Sequence, residues 1–276
     1  MKDKIQYLRI ESLVPFKNHP FKVRQGEENE ELKQSIRERG NVEPLIVRPL
    51  IDGKYEIISG HRRTQMCKEL GINEIPVIVR DLTDEEAVCI MVDSNIHREK
   101  ILPSERAYAY KLKWEAVKEM GLSQVATKRN DEIVARSFGI SKDTLHRFIR
   151  LTYLDEELLN LVDEGRIAFT PAVELSYLTK EEQQNLFAEI EYSDATPSLS
   201  QAQRMRRFSE QGRLSKDVIF AVMTEDKPNQ KEKINFKLED IERYFPRGYT
   251  SKDMHDEIIK LLDNRQRKRQ RIKEER

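Results

Sequence analysis

Residues 44–63 read PLIVRPLIDGKYEIISGHRR, and this stretch alone predicts a strand, a tight turn, a second strand and the first turn of a helix. Pro44 to Arg48 is a short apolar strand, and Asp52-Gly53 is a strong hairpin signal. Tyr55 to Ile58 is the returning strand. Gly60 then precedes a helix that runs to Leu70, where Gly71 ends it.

Short elements of both kinds flank this hairpin. Lys4–Ile10 and Ile75–Val79 have the apolar content of strands, and Glu30–Arg39 is a polar helix closed by Gly40. Val14–Pro20 has the composition of a proline-containing turn. Mixed short strands and helices of this kind predict a small α+β domain over residues 1–100.

The rest of the chain has helical patterns from Asp84 onward. We predict an all-α domain over residues 101–195 and a helical C-terminal segment over residues 196–276. The boundary between them lies in the small, polar stretch Ala195–Ser200, which contains Pro197. Ser251 is the expected cap of the last helix.

Composition excludes several classes of protein. The 276 residues carry 49 Lys+Arg and 49 Asp+Glu, and 36 % charged residues favour several small helical units over one large core. No apolar run approaches the roughly 20 residues of a membrane span. Cys67 and Cys89 have no CxxC spacing, so neither a disulfide framework nor a zinc site is expected. We expect a cytoplasmic protein.

The segment Gly60-His61-Arg62-Arg63 combines the features of a phosphate site. A glycine between a strand and a helix lets backbone N–H groups approach an anion, and the helix dipole favours negative charge there. Two arginines add forked donors that match phosphate oxygens. Alternatively, Arg62 and Arg63 are solvated residues of a first helical turn, a position where basic side chains are disfavoured.

A second polar segment, residues 94–99 (SNIHRE), follows a predicted helix. Asn95 and Arg98 have side chains that could reach a triphosphate or its metal ion. Polar residues at a helix end also serve simply as caps, so this segment alone is weak support for a ligand site.

Residues 131–150 have the pattern of a helix-turn-helix. Ile133, Val134 and Phe138 form one apolar face, and Gly139 and Ser141 supply the turn and the cap of the second helix. A second apolar face and five outward polar side chains follow on that helix, and the five are candidates for contacting DNA: Lys142, Thr144, His146, Arg147 and Arg150. The alternative is an ordinary helical hairpin whose arginines are solvated.

A basic tail closes the chain. Residues 265–276 contain seven basic and two acidic residues. Such a tail could neutralise phosphates, or it could be the solvated end of a helix, where cations suit the dipole. The apolar side chains on the preceding helix indicate a small core or a face for self-association.

Four segments in order resemble the N-terminal domain of the ParB partition-protein family: PLIVRP at 44–49, IISGHRR at 57–63, SNIHRE at 94–99 and ILPSERAYAY at 101–110. The resemblance covers about residues 5–180. It implies the fold shared with sulfiredoxin and a pocket for CTP with Mg²⁺, in which Asn95 is the metal-ligand candidate. The residues implied in the pocket are Pro44, Arg48, Gly60, His61, Arg62, Arg63, Asn95 and Arg98.

The resemblance also implies a function. A ParB-like chain binds a specific site in double-stranded DNA and helps to segregate a chromosome, plasmid or mobile element. CTP would act as a conformational ligand that favours a closed homodimer. The implied partners include a ParA-like ATPase, and the implied location is the nucleoid.

Two positions depart from the family pattern and bear on hydrolysis. Lys22 replaces a glutamine, and Ser94 replaces the glutamate that opens the third motif. We therefore hypothesise nucleotide binding with weak or absent hydrolysis. The alternatives are a ParB-derived transcriptional regulator with a vestigial pocket, or an enzyme, either a CTPase or a nuclease. Gly60 occupies the place of the sulfiredoxin cysteine, and Cys67 is expected to be a packed core thiol.

Overall fold

The computed structural model describes residues 4–17, 19–21, 27–39, 43–98, 101–120, 127–225, 244–246, 249–250, 253–254 and 256–262. The chain divides into two compact units, residues 1–225 and 226–276.

The first unit begins with a five-stranded sheet in the order β1-β5-β3-β4-β2. Pairing is antiparallel between β1 and β5 and between β3 and β4, and it is parallel between β3 and β5 and between β2 and β4. The strands are β1 (Ile5–Arg9), β2 (Leu13–Pro15), β3 (Leu45–Pro49), β4 (Tyr55–Ser59) and β5 (Glu74–Val79).

In the described part of this region, a 3-10 helix (Ile10–Ser12) lies between β1 and β2, and three α-helices accompany the sheet: α1 (Glu27–Arg39), α2 (His61–Glu69) and α3 (Asp84–Asp93). Thr83 and Glu86 form a capping box that fixes the start of α3. The predicted α+β class is confirmed, and the predicted hairpin is present. The predicted turn at residues 14–20 instead begins inside β2, because Leu13–Pro15 pairs with β4.

The core under the sheet consists of alternate strand residues packed against α2. Leu45 and Val47 on β3 and Ile75 and Val77 on β5 are fully buried, as the two-residue period of a strand requires. Cys67 on α2 is equally buried in this core. Burial raises the pKa of its thiol, which fits the expected role of a packed side chain.

Among the residues that the structure describes, eight further α-helices belong to the first unit, and several begin at capped positions. One hydrophobic core contains Ala107 and residues from Leu151 to Met223, including residues of the last two helices. The predicted division after residue 195 falls inside this shared core. The helices are α4 (Pro103–Glu119), α5 (Thr127–Ser137), α6 (Lys142–Leu151), α7 (Glu156–Asp163), α8 (Phe169–Leu175), α9 (Lys180–Ser193), α10 (Leu199–Glu210) and α11 (Lys216–Thr224).

The segment α5–turn–α6 has the predicted local structure. Gly139 has φ of +67°, and the hydroxyl of Ser141 accepts a hydrogen bond from the Thr144 N–H at 3.1 Å. Leu145 and Ile149 are buried on α6. The predicted placement of Ile133 on the apolar face of α5 is wrong, since this residue is 44 % exposed.

In the second unit, residues 256–262 are helical and expose Ile259, Leu261 and Leu262. The predicted cap Ser251 and the basic tail at residues 265–276 lie outside the described residues. Within the part of the chain that the structure describes, no helix has the length and apolar character to cross a membrane.

Candidate functional site

The amino terminus of α2 follows directly on β4 and is left open for a ligand. Gly60 stands at the N-cap with φ of +109°, and no side chain caps the helix or places an acidic group in its first turn. The first N–H groups of a helix have no intrahelical partner. A Cβ at Gly60 would lie 2.2 Å from Cδ2 of Leu45, so the close approach of helix and strand requires glycine.

A cleft of about 440 Å³ opens at this corner. It brings together six of the residues that the sequence predicted for a nucleotide pocket, from two segments separated by some thirty residues. Leu32, Glu43, Ser59 and Ser94 also line it. Ser59 and Ser94 belong to the motifs quoted above, whereas Leu32 and Glu43 carried no sequence signal for a pocket. The six predicted residues are Gly60, His61, Arg62, Arg63, Asn95 and Arg98.

Two arginines of α2 are held by neighbouring elements. The Nε of Arg62 donates to Oδ1 of the buried Asn29 on α1 at 2.9 Å. Nη1 of Arg63 donates to the carbonyl oxygens of Glu43 at 2.6 Å and Pro44 at 3.1 Å. Nη2 of Arg63 lies 3.5 Å from the position of a Cβ on Gly60. A cationic group therefore flanks the open helix terminus.

His61 lines the cleft, is half-buried and lies beside a second histidine. Its Nε2 accepts a hydrogen bond from the Phe16 N–H at 3.1 Å, and its ring centroid lies 4.3 Å from that of His19. Burial, together with the proximity of His19 and Arg98, lowers the pKa of His61 to about 3. The ring is therefore neutral at physiological pH and does not add a charge for phosphate.

His19 was not predicted from the sequence. Its Nδ1 bonds with the carbonyl oxygen of Phe21 at 2.8 Å, so Nδ1 carries the proton. Its buried Nε2 has no hydrogen-bond partner among the described residues. Burial is the main reason that the pKa of His19 is lowered.

Asn95 and Arg98 form the opposite side of the cleft, after α3. The Nδ2 of Asn95 donates to the carbonyl oxygen of Met91 at 2.7 Å and to the Ser94 hydroxyl at 3.2 Å. These bonds use the nitrogen and orient the amide, whose oxygen is a suitable ligand for Mg²⁺. The guanidinium of Arg98 lies 5.7 Å from the ring centroid of Phe21.

The donor set fits a magnesium ion carried by a nucleotide better than one held by the protein alone. Among the described residues, no group of three His, Cys, Asp or Glu side chains has the arrangement of a metal site. Mg²⁺ is commonly held by substrate phosphates and only one or two protein oxygens. Asn95 would supply one such oxygen, and a second would come from the carboxylate of Glu43, which lies 3.6 Å from Nη1 of Arg63.

Two other residues that the resemblance implied lie outside the lining of the cleft. Arg48 forms ion pairs with Glu56 and Asp84 and thereby ties β3 and β4 to α3. Pro44 contributes the carbonyl oxygen that Arg63 binds. Lys22, one of the two departures from the family pattern, lies outside the described residues.

A buried ammonium connects the cleft with the α5–α6 segment. Lys113 on α4 is only 8 % exposed. Its Nζ bonds with Asp93, the residue before Ser94, and with the Ser137 hydroxyl at 3.0 Å. The same Nζ lies 4.8 Å from the ring centroid of Phe138. The end of α3 and the end of α5 are thus joined through one side chain.

The predicted DNA-contacting residues on α6 fall on two flanks. Lys142 and His146 face Asp131 of α5, with Nε2 of His146 at 2.9 Å from the carboxylate. Arg147 and Arg150 face α8: Arg147 donates to the Thr170 hydroxyl at 2.8 Å.

Arg150 is held more firmly than a free surface arginine. Its Nη2 donates to the carbonyl oxygen of Ser176 at 2.7 Å, and its guanidinium lies 4.0 Å from the ring centroid of Tyr177. Thr144 bonds with the Ser141 hydroxyl at the helix start, at 2.8 Å. Arg150 and Thr144 therefore have structural contacts in addition to any role towards DNA, which stays a prediction.

Comparison with known proteins gives a consistent result. The ParB N-terminal domain family matches residues 1–96. A probable chromosome 1-partitioning protein ParB from Deinococcus radiodurans is 35 % identical over 203 residues, covering 74 % of this chain and 66 % of that protein. Chromosome-partitioning protein Spo0J from Thermus thermophilus is 36 % identical over 199 residues, covering 72 % and 69 %. The match thus spans about two thirds of each relative.

Crystal structures of a C-terminally truncated ParB from Caulobacter crescentus are also similar. Its complex with the centromeric parS site is 22 % identical with a TM-score of 0.45, covering 73 % of this chain and 98 % of that one. Its complex with CTP-gamma-S is 25 % identical with a TM-score of 0.32, covering 68 % and 98 %.

Proposed function

This chain belongs to the ParB family of chromosome-partitioning proteins, and from that premise we propose that it binds a specific double-stranded DNA site and takes CTP in the cleft at α2. The DNA would be contacted by α6, and the nucleotide would bias the conformation of the chain. One observation carries the proposal: the open helix terminus at Gly60 is flanked by Arg62, Arg63 and Arg98 in a single cleft.

The wider role follows from family membership. We propose that the chain serves the segregation of a chromosome, plasmid or mobile element as a nucleoid-associated homodimer. A ParA-like ATPase and a nucleotide-borne Mg²⁺ are the further partners that this role implies. Ser94 in the cleft provides no carboxylate for activating water, so weak or absent hydrolysis stays our prediction.

The nucleotide half of the proposal is tested on Arg62. We expect CTP to bind more tightly than GTP or ATP in isothermal titration calorimetry, and Arg62→Ala to weaken CTP binding about tenfold or more, since a charged hydrogen bond contributes about 1.5–3 kcal/mol. Arg37→Ala, an exposed arginine on α1, is the matched control and should bind CTP as the wild type does.

The result also separates this proposal from its main competitor. If the chain binds its specific DNA site but binds no nucleotide in the presence of Mg²⁺, the competing proposal is favoured, which is a transcriptional regulator with a vestigial pocket. Nicking of a supercoiled plasmid with Mg²⁺ would instead indicate a nuclease.

The DNA half of the proposal is tested on Arg147. If its guanidinium leaves Thr170 to read a base, Arg147→Ala should weaken binding to the specific site by about 1–3 kcal/mol and weaken binding to random DNA by less. Fluorescence anisotropy with a site selected by the wild-type chain measures this. Arg136→Ala on the exposed side of α5 is the control. An equal loss on random DNA would make Arg147 a phosphate contact.

A further inference from the structure

One carboxylate ties three helices together beside the predicted DNA-contacting residues. Oδ1 of Asp131 on α5 accepts a hydrogen bond from Nε1 of Trp114 on α4 at 2.7 Å. Its Oδ2 lies 2.9 Å from Nε2 of His146 and 3.6 Å from Nζ of Lys142, both on α6. The side chain of Asp131 is only 13 % exposed. A carboxylate can only accept, so His146 donates through Nε2–H.

This carboxylate is charged at neutral pH. Burial alone would raise the pKa of Asp131, but the hydrogen bonds from Trp114 and His146 and the charge of Lys142 outweigh it and hold the pKa below its ordinary value. The positive charge of Lys142 is therefore balanced within the protein.

The other flank of α6 is different. Arg147 and Arg150 bond with the neutral groups of Thr170 and Ser176 and lie over aromatic rings. Neither is paired with a carboxylate within the residues that the structure describes. One flank of α6 thus presents two arginines without a carboxylate partner among the described residues, whereas Lys142 and His146 on the other flank are held by Asp131.

This asymmetry matters because binding to random DNA and binding to a specific site depend on different contacts. Attraction to random DNA comes from cations that neutralise phosphates and release counterions. Sequence is read by contacts with base edges, which phosphate contacts alone do not provide. A lysine that is already paired within the protein adds little to the affinity for random DNA. It contributes only at the cognate site, where the other contacts with DNA favour its release from the carboxylate.

We propose that Asp131 is a specificity-determining positioning residue, which restrains Lys142 and His146 so that random DNA does not engage them and only the cognate site does. This proposal rests on the proposed contact between α6 and DNA. Its ligand class is duplex DNA, and its effect is a larger ratio between specific and non-specific affinity.

The test measures binding of the full chain to two fluorescent duplexes, one of random sequence and one selected from a random library by the wild-type chain. We expect Asp131→Asn to bind the random duplex about five- to tenfold more tightly, and its log–log salt slope to steepen by about one unit, as one added phosphate contact requires. The selected duplex should gain less, so the affinity ratio falls.

Matched variants separate this mechanism from a general change of charge or a loss of structure. Asp143→Asn removes the same charge from the exposed side of α6, next to Lys142, and should change both affinities alike, leaving the ratio as in wild type. Adding Lys142→Met to Asp131→Asn should cancel the gain on random DNA. Asp131→Ser also removes the carboxylate, so the result does not depend on one substitution, and thermal unfolding is recorded for each variant.

The outcomes are distinct. An unchanged affinity ratio in Asp131→Asn and Asp131→Ser, or a gain that persists with Lys142→Met, overturns the role of Asp131. Failure of the wild-type chain to bind either duplex overturns the proposed function itself.

Discussion

Gly60→Ala is expected to lower the free energy of unfolding by about 3 kcal/mol and to abolish measurable CTP binding. Two effects add. The backbone at Gly60 has φ of +109°, which costs a residue with a Cβ about 1–2 kcal/mol. The new methyl group would also lie 2.2 Å from Cδ2 of the fully buried Leu45, and overpacking costs about 1–3 kcal/mol.

The contribution of the clash can be isolated because the chain offers a matched glycine. Gly53 in the turn between β3 and β4 has φ of +76°, yet nothing lies within 4 Å of a Cβ placed there. Gly53→Ala should therefore cost only about 1 kcal/mol of backbone strain and leave CTP binding unchanged. Urea unfolding of both variants, with calorimetry, measures the difference.

A double-mutant cycle examines the contact itself. Leu45→Ala removes Cδ2, the atom that the new methyl group would contact. The loss of stability caused by Leu45→Ala should therefore be about 1–2 kcal/mol smaller in the Gly60→Ala background than in the wild type. Additive losses would show that the methyl group is accommodated elsewhere, and the close approach of helix and strand would then not be what requires glycine.

The hairpin and the helix that follows it could be predicted because their signals are local. Asp52-Gly53 sets the turn, and the alternation along β3 places Leu45 and Val47 on the buried face. The glycine before α2 is also a local signal, because it predicts a phosphate site from its position between a strand and a helix. The family resemblance then added the second segment, which no local rule connects to the first.

Elements that depend on distant partners were missed. Strand β2 has only three residues, and it exists because it pairs with β4 some forty residues away. His19 gave no signal because its importance lies in the ring of His61, which only the fold brings beside it. Residue type alone does not predict which distant side chains the fold brings into contact.

Arg48 and Arg150 show a different limit. Their charge was recognised, but its use depends on which acceptor the fold supplies. The ion pair of Arg48 could have been predicted from the hairpin, because the register places Arg48 directly opposite Glu56. The contact of Arg150 could not, because the acceptor belongs to Ser176, whose position depends on how α8 packs against α6.

Stability is expected to fall by about 2 kcal/mol between about pH 7 and about pH 5 because of His61 alone. Burial, with His19 and Arg98 nearby, lowers the pKa of His61 from 6.5 to about 3 in the folded chain. Above pH 6.5 the ring is neutral in both states and contributes no pH dependence. Below that value His61 is protonated in the unfolded chain but stays neutral in the folded chain, so unfolding becomes progressively more favourable down to about pH 3.

The source of this slope can be tested with two histidine variants. His61→Gln cannot take up a proton, yet its amide oxygen can accept the hydrogen bond from the Phe16 N–H, so urea unfolding at both pH values should show a slope reduced by most of the predicted change. His97→Gln, the same substitution at an exposed position, is the matched control.

His19 makes the result sharper, because the pKa of this ring is also lowered and the two rings are in contact. A proton on either ring would place a cation beside the other ring and beside Arg98, in a site that already lacks a hydrogen-bond partner for Nε2 of His19. Removing both rings should therefore flatten the slope further than His61→Gln does alone. If the double variant keeps the wild-type slope, the acid sensitivity arises from other groups and not from this pair.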